Sequence, residues 1–491
     1  MAVKKYFANA DNTITNAFRE NLTTRGVDAN MGASDILEVF SIYGQASSGS
    51  TELERILIKF PIDEISLDRA NKQIPPTGDV SFYLNMYNAP HNQTTPRDSV
   101  LVVAPISQSW EEGSGIDMEE YRDVTNGGIG SNWINAGKDE SWTREGGDYL
   151  TSLNYTQTFP IGSENLRIDI TDLVEEWIGG TIDNYGVGVH LTASLEAFFS
   201  NSAGSDQDSQ LFNPSGAKDT YYTKKFFGKG TEFFFKRPQI EASWNSTIKD
   251  DRGNFYASSS LLPPEENIRT LYLYNSIGGK LRNIPEIDTG SLRVKIYTDS
   301  TSGAQIGSTI VGGYVSKGVY TASFSLDTTA SIAYDRWYNT TLTDQYYVGE
   351  FEIKDHKASA FNPYPNLVTN LTNLRSTYYT HETNRFRFYV REKDWSPTIY
   401  TVATKNNDTL IMESASYQIH RITDDLVVLP FSTGSNKGTE MSFDVSGNYF
   451  DFKMDFLEPG YSYGIRLAYY DETVNSYVEQ PYTWKFRVED V

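Results

Sequence analysis

The sequence contains no cysteine. That excludes disulfides, thiolate zinc sites, cysteine nucleophiles and cysteine-ligated iron–sulfur clusters. Tolerance of any redox environment suits a particle that leaves the cell. No run approaches the ~18 apolar residues that a membrane span requires, so no membrane insertion is expected. The opening Met1-Ala-Val-Lys-Lys-Tyr-Phe7 lacks the apolar core of a signal peptide, which predicts folding in a cytosol. Cations are scarce: 42 Lys and Arg stand against 64 Asp and Glu, a net charge of −22. Such a surface repels phosphate backbones, so nucleic acid is not an expected partner. The five histidines, His91, His190, His356, His381 and His420, are scattered, with no His-x-x-x-His pair. There is no Gly-x-Ser-x-Gly elbow and no Gly-x-x-x-x-Gly-Lys-Ser/Thr phosphate loop. No catalytic residue and no cofactor are assigned.

What is present points to β structure. The 491 residues include 33 Tyr, 26 Phe and 37 Gly, with Thr, Ser and Asn crowding the connections. The length suits roughly three domains of about 150 residues. The clearest helix signal in the first half is Ile168-Asp-Ile-Thr-Asp-Leu-Val-Glu-Glu-Trp-Ile-Gly-Gly180. Asp172 is placed to cap it and Glu175 to return the capping bond. Leu173, Val174, Trp177 and Ile178 form its apolar stripe, and Gly179 and Gly180 end it. Val187, Val189 and Leu191 then alternate as a half-buried strand, with His190 out of phase and expected on its surface. A short helix carrying a Trp between strands suggests a sandwich with one end plugged.

Residues 1–245 form the first expected domain, with strands at Arg55–Phe60, Asp79–Tyr87 and Leu101–Ile106 and a closing strand in Phe233–Trp244. Residues 1–25 look like a polar arm that orders only against a neighbour. The polar run Asn245-Ser-Thr-Ile-Lys-Asp-Asp-Arg-Gly-Asn254 reads as a linker to a second domain, 246–380. Its short strands, such as Leu292–Tyr297 and Tyr346–Ile353, suggest an immunoglobulin-like sandwich. Residues 381–491 repeat the style, and Gly318-Val-Tyr320 and Gly447-Asn-Tyr449 hint at an internal repeat.

The long insertion between Ser107 and Leu150 holds the candidate ligand chemistry. Trp110, Trp133 and Trp142 interleave there with Glu111, Glu112, Asp117, Glu119, Glu120, Asp123, Asp139 and Glu140. Such residues line carbohydrate clefts, and paired carboxyls serve glycoside hydrolysis. Chance clustering in an acid-rich chain is the preferred explanation of the carboxylates, and packing that of the tryptophans. Trp133 is the best candidate of the three for exposure, with packing preferred for it as well. Asp117-Met-Glu-Glu120 and Ser205-Asp-Gln-Asp-Ser209 offer oxygen ligands for calcium, against a plainer reading as solvated turns, so metal binding stays open.

Several of these pieces resemble DNRLRE-type β-sandwich domains, found in cell-surface and structural proteins. They are Arg55-Ile-Leu-Ile-Lys-Phe60, Ser109-Trp-Glu-Glu-Gly113, Trp142, Gly146-Gly-Asp148, Ile168–Trp177 and Asn184-Tyr-Gly-Val-Gly-Val189. The resemblance covers about half the chain and departs at Asp117–Asp139 and Ser200–Lys236. Ala10–Asn21, Gly32–Val39, Phe388-Tyr-Val-Arg-Glu-Lys-Asp-Trp395 and Leu457-Glu-Pro-Gly-Tyr-Ser-Tyr-Gly464 resemble virion structural proteins of tailed phages of marine bacteria. The resulting expectation is an all-β chain: a large jelly-roll-like β-sandwich with a plug helix, then two Ig-like β-sandwiches. It implies a non-enzymatic virion component of the neck, tail or capsid exterior, assembled in the host cytoplasm. Its partners would be other virion proteins and copies of itself. The alternative is a carbohydrate-binding host-recognition module that meets a host-surface glycan.

Overall fold

The computed structural model describes residues 2–44, 50–118, 120–122, 130–356, 366–394, 399, 409–434 and 437–490. Glu119, Asp123 and Trp395 lie outside the described residues. The chain is mostly β-sheet and divides into two units, Ala2–Asn245 and Ser246–Val491.

In the first unit the smaller sheet runs Val3–Phe7, Gln239–Trp244, Val80–Met86, Leu166–Asp169. The larger runs Tyr221–Phe227, Ile36–Gly44, Ser50–Lys59, Val187–Leu191, Ser99–Pro105, Tyr155–Phe159, and Ala10–Thr15 also pairs with Ser50–Lys59. Side chains of period two meet between them: Ile56 and Ile58, Phe82 and Leu84, Leu101 and Val103, Val187 and Val189 share one core. Helices α1 (Ile62–Ala70) and α2 (Thr171–Gly179) close it, with Leu173, Val174 and Trp177 of α2 buried there. Trp177 is the plug its spacing suggests, and Gly180 ends α2 at φ 71°.

Three expectations fail here. The capping box does not form: no side chain caps α2 at Ile170. Asp169 Oδ1 instead accepts from the Thr171 amide (2.9 Å) and hydroxyl (2.6 Å). Glu175 is gripped by Arg69 of α1 through both carboxylate oxygens (2.5 and 2.6 Å), a charge-assisted fork stronger than a backbone N–H bond. Nor is the N-terminus a loose arm. Val3–Phe7 pairs with Gln239–Trp244 and Ala10–Thr15 with Ser50–Lys59, so the first residues are sewn into both sheets. Tyr6 donates to Asp68 of α1 (2.7 Å), and Ile14 is fully buried. The closing strand is also shorter than its sequence suggests, because Phe234–Lys236 is a 3₁₀ turn ahead of Pro238.

The second unit holds two sandwiches. The first is one sheet folded over: Phe255–Tyr256, Gln345–Lys354, Ile332–Tyr338, Leu292–Tyr297, Gln305–Ser316, Val319–Phe324, Arg269–Tyr274. Gln305–Ser316 pairs with Leu292–Tyr297 through its first part and with Val319–Phe324 through its last. The fold encloses Leu271, Val294, Ile296, Tyr320, Trp337 and Phe351. The second sandwich has the sheets Leu367–Leu371, Thr383–Glu392, Gly447–Lys453, Ser442–Asp444 and Thr377–Tyr379, Trp484–Glu489, Ser462–Asp471, Ala415–Arg421, Val427–Leu429. In each sandwich a short early strand runs parallel to the last one, Phe255–Tyr256 beside Gln345–Lys354 and Thr377–Tyr379 beside Trp484–Glu489. Gly318 (φ 73°) and Gly447 (φ 105°) introduce strands in corresponding places, so the two Gly-x-Tyr stretches match in position. Tyr463, at the start of its strand, donates to the Glu458 carbonyl at 2.7 Å, a tyrosine corner of the kind immunoglobulin-type sandwiches use.

The supposed linker is a half-buried joint, with Asp250 and Asp251 fully inside it. The Phe443 amide donates to Ile248 O (2.9 Å) and the Asp250 amide to Phe443 O (3.1 Å), which ties the segment to the second sandwich. Arg252 forks onto Asp335 of the first at 2.6 and 2.7 Å, and the Thr270 amide donates to Asp251 at 2.7 Å. Polar composition suggested a solvated linker; these residues are polar because they carry the bonds between two sandwiches.

Burial pushes the Asp250 carboxyl up to about 7 and the Asp251 carboxyl up to about 6. Both lie above the ordinary 3.8, so the folded state holds protons that the unfolded chain has released. The stability these groups contribute is complete below pH 3.8 and is lost as pH rises through 6 to 7. Calorimetry of the full chain should therefore show the transition of residues 246–491 at lower temperature at pH 8 than at pH 5. Asp250→Asn should flatten that slope.

Candidate functional site

The larger sheet of the first unit is buried on its outer face as well. Outward residues of Ser50–Lys59 and the insertion form a second core: Ile14, Leu53 and Leu57 pack with Ile106, Trp133, Ala136 and Trp142. The insertion is thus a cover laid on the sheet. Where it meets the loop 192–213 it leaves a cleft of about 560 Å³. Val102, Ala104, Thr156 and His190 floor it, and Asp148, Tyr149, Asn154, Glu196, Phe212 and Asn213 are among its walls.

The Arg55 guanidinium anchors the site. It forks onto Glu196 (Nε–Oε1 2.9 Å, Nη2–Oε2 2.7 Å) and donates to the Gly146 carbonyl at 2.9 Å. Its carbon stands 5.6 Å from the Trp133 ring centre and 5.7 Å from that of Tyr149. Tyr149 donates to the same Gly146 carbonyl (3.0 Å), and burial pushes its phenol up to about 12, partly offset by the Arg55 charge. Gly188 makes room for this ring: a Cβ there would lie 2.1 Å from Tyr149 Cε1. His190 lies 5.1 Å from Tyr149, ring centre to ring centre. Its Nδ1 sits 2.7 Å from the Leu191 carbonyl, so Nδ1 carries the proton and Nε2 is left as an acceptor. Burial first, and the Arg55 charge second, hold its pKa below the ordinary 6.5.

The charges cancel in pairs. Arg55 answers Glu196, and Arg144 stands 3.4 Å from Asp206. Asp148 spends both oxygens on the Thr143 and Arg144 amides (2.7 and 3.0 Å). The cleft therefore offers neutral donors and acceptors beside two half-buried aromatic rings, Tyr149 and Phe212. His190's hydrogen bond goes to the Leu191 backbone carbonyl, and the arrangement can hold a small polar molecule.

No family model and no curated protein matches the chain. Among solved structures it is similar to the crystal structure of trypsin-activated alpha-2-macroglobulin from Escherichia coli. That match has 11% identity, covers 81% of this chain and 29% of the other, and has a TM-score of 0.15. A superposition this loose carries no argument about fold, site or activity.

The residues singled out in the sequence are mostly structural. Trp133 is fully buried and Trp142 nearly so, and Trp110 is half-buried with its Nε1 donating to Tyr185 O at 2.7 Å. The preferred reading of packing holds even for Trp133, the best candidate for exposure, because the insertion folds inward and Trp133 joins the core laid on the sheet. Glu111 accepts from the Lys138 amide (3.1 Å), and Glu112 pairs with Lys229 (2.9 Å). Asp117 is buried near the Asn30 amide, Glu120 pairs with Arg122 (2.6 Å), and Asp139 and Glu140 are exposed. Asp206 faces Arg144, and Asp208 lies 3.7 Å from Arg25. Among the described residues no three His, Asp or Glu side chains converge as metal ligands. His190 is no open-surface residue, since the cover makes its side of the strand an interior. The missed residues, Arg55, Tyr149 and Glu196, gather only in three dimensions. Their one sequence signal is an arginine in an apolar strand.

Trp133→Ala should cost ~3–5 kcal/mol of stability in residues 2–245, as for other buried tryptophans. Denaturant titration followed by fluorescence would show it, and a near-neutral result would mean the cover is not packed on the sheet.

Proposed function

We propose that this protein is a non-enzymatic structural component of a tailed-phage virion, on the neck, tail or capsid exterior, where its β-sandwiches attach to other virion proteins. The observation that carries the reading is the joint at 248–256. Sandwiches in tandem move freely by default, yet here a buried Arg252–Asp335 fork and backbone bonds to Phe443 hold two of them together. Stiffness of this kind serves a part that bears load or holds a distance. The sequence resemblance supplies the virion context. Quantitative mass spectrometry of purified particles tests the reading: the chain should be present at a fixed copy number per particle. Its recovery only from the lysate of infected cells, and never from particles, would sink the idea.

A second reading, recognition of a host glycan, draws support from the Arg55–His190 cleft in place of Trp133. Paired charges, neutral acceptors and two aromatic rings suit a polyhydroxylated ligand better than an ion or an oil. Glycan-array binding by the full chain should vanish in His190→Ala combined with Asn213→Ala. No binding by the wild-type chain to any glycan removes this reading.

A further inference from the structure

The outer face of the first sandwich in residues 246–491 bears an unresolved charge pattern. Leu292–Tyr297 and Ile332–Tyr338 turn alternate residues into the core, which leaves Arg293, Lys295 and Arg336 outward. Lys295 lies directly opposite Arg336, and like charges in that relation destabilise a sheet. Neither Arg293 nor Lys295 has an ion-pair partner among the described residues. Of the acids of this face, Glu350 and Glu352 sit on the next strand and toward its other end, opposite Tyr334 and Ile332, while Asp299, just past Tyr297, already acts on Arg336. Cations thus occupy one corner of the face and carboxylates the diagonal corner. Tyrosines fill the middle: Tyr297 lies opposite Tyr334, and the Arg336 guanidinium stacks on Tyr297 at 3.9 Å. Tyr and Arg at the centre of a patch are the residues that dominate binding energy at interfaces.

We propose that this face pairs with the same face of a second copy of the chain about a two-fold axis lying in the interface. Such an axis lays the Arg293–Lys295 corner of each copy over the Glu350–Glu352 corner of the other. Both unpaired cations then gain partners, and the opposed Lys295 and Arg336 gain counter-charge. A patch with cations and acids at opposite corners is self-complementary, which a two-fold interface requires. A uniformly acidic or basic partner would satisfy one corner and repel the other.

The pairing deepens the structural reading, since a virion part works among copies of itself, but it is measured separately. Sedimentation velocity of the full chain at low salt should show a concentration-dependent dimer, weakened at high salt as paired charges are screened. Arg293→Glu with Lys295→Glu in one variant, and Glu350→Lys with Glu352→Lys in another, should each weaken the dimer roughly tenfold or more. Circular dichroism checks that both remain folded. Mixed one to one, the two variants should associate again, because each reversed corner then meets its reversed complement. A wild-type chain that stays monomeric at every concentration overturns the proposal, as does failure of the mixture to re-associate. A monomer found in particles would mean that another virion protein covers the face, leaving the virion reading intact. A dimer absent from particles would do the reverse.

Discussion

A β-sheet covered on both faces has no water to receive its polar side chains, and every one of them must find a partner inside the protein. The larger sheet of the first unit is such a sheet. Its inner face meets an apolar core, and its outer face meets a cover rich in buried polar groups. Asn12 donates to Ser131 of the cover through both the carbonyl and the hydroxyl (2.8 Å each). Arg25 donates to the carbonyls of Asn16 and Thr51 (2.7 and 2.8 Å). Asn30 bridges Glu112 and Ser131 (2.9 Å each). Exceptions include Ser41 Oγ and both carboxyl oxygens of Glu54, which have no partner among the described residues. Burial, with the nearby Glu38 charge added, pushes the Glu54 carboxyl well above the usual range.

The same constraint explains what the sequence disclosed. Where one face of a strand meets an apolar core, alternation is plain, as at Ile56–Phe60, Val80–Met86 and Phe386–Val390. It fails where a polar residue turns inward to meet a partner far along the chain. Ile332–Tyr338 escapes detection because Asp335 breaks the inward row of Ala333 and Trp337, and its partner, Arg252, lies 83 residues away. Ala10–Thr15 is buried along almost its whole length yet reads as polar, since its side chains bond to the cover. Trp177 could be placed from helical spacing alone. Trp133 could not, because nothing local says whether an insertion folds in or out. The cleft was hidden for the same reason: Arg55, Tyr149, His190 and Glu196 are brought together by tertiary packing and not by any motif.

Arginine forks recur at the points where distant segments join. Arg69 holds Glu175 between two helices, Arg55 holds Glu196 beneath the cleft, and Arg252 holds Asp335 at the joint. Each is bidentate and partly or wholly buried, the setting in which a planar guanidinium outperforms lysine. In a chain without cysteine these pairs do the fastening that disulfides do elsewhere. Unlike disulfides they reverse with the fold and need no oxidant.

The pairing of Val3 with Ser243 has a consequence for synthesis. A ribosome delivers the first strand long before its partner exists, and the smaller sheet cannot close until Gln239–Trp244 has emerged. Through that interval Val80–Met86 has only Leu166–Asp169 beside it, and its other edge stays unpaired. Contacts of such sequence separation form slowly. The opening residues therefore act as a latch, shut last, and the nascent chain is most exposed to wrong partners just before its first unit is complete.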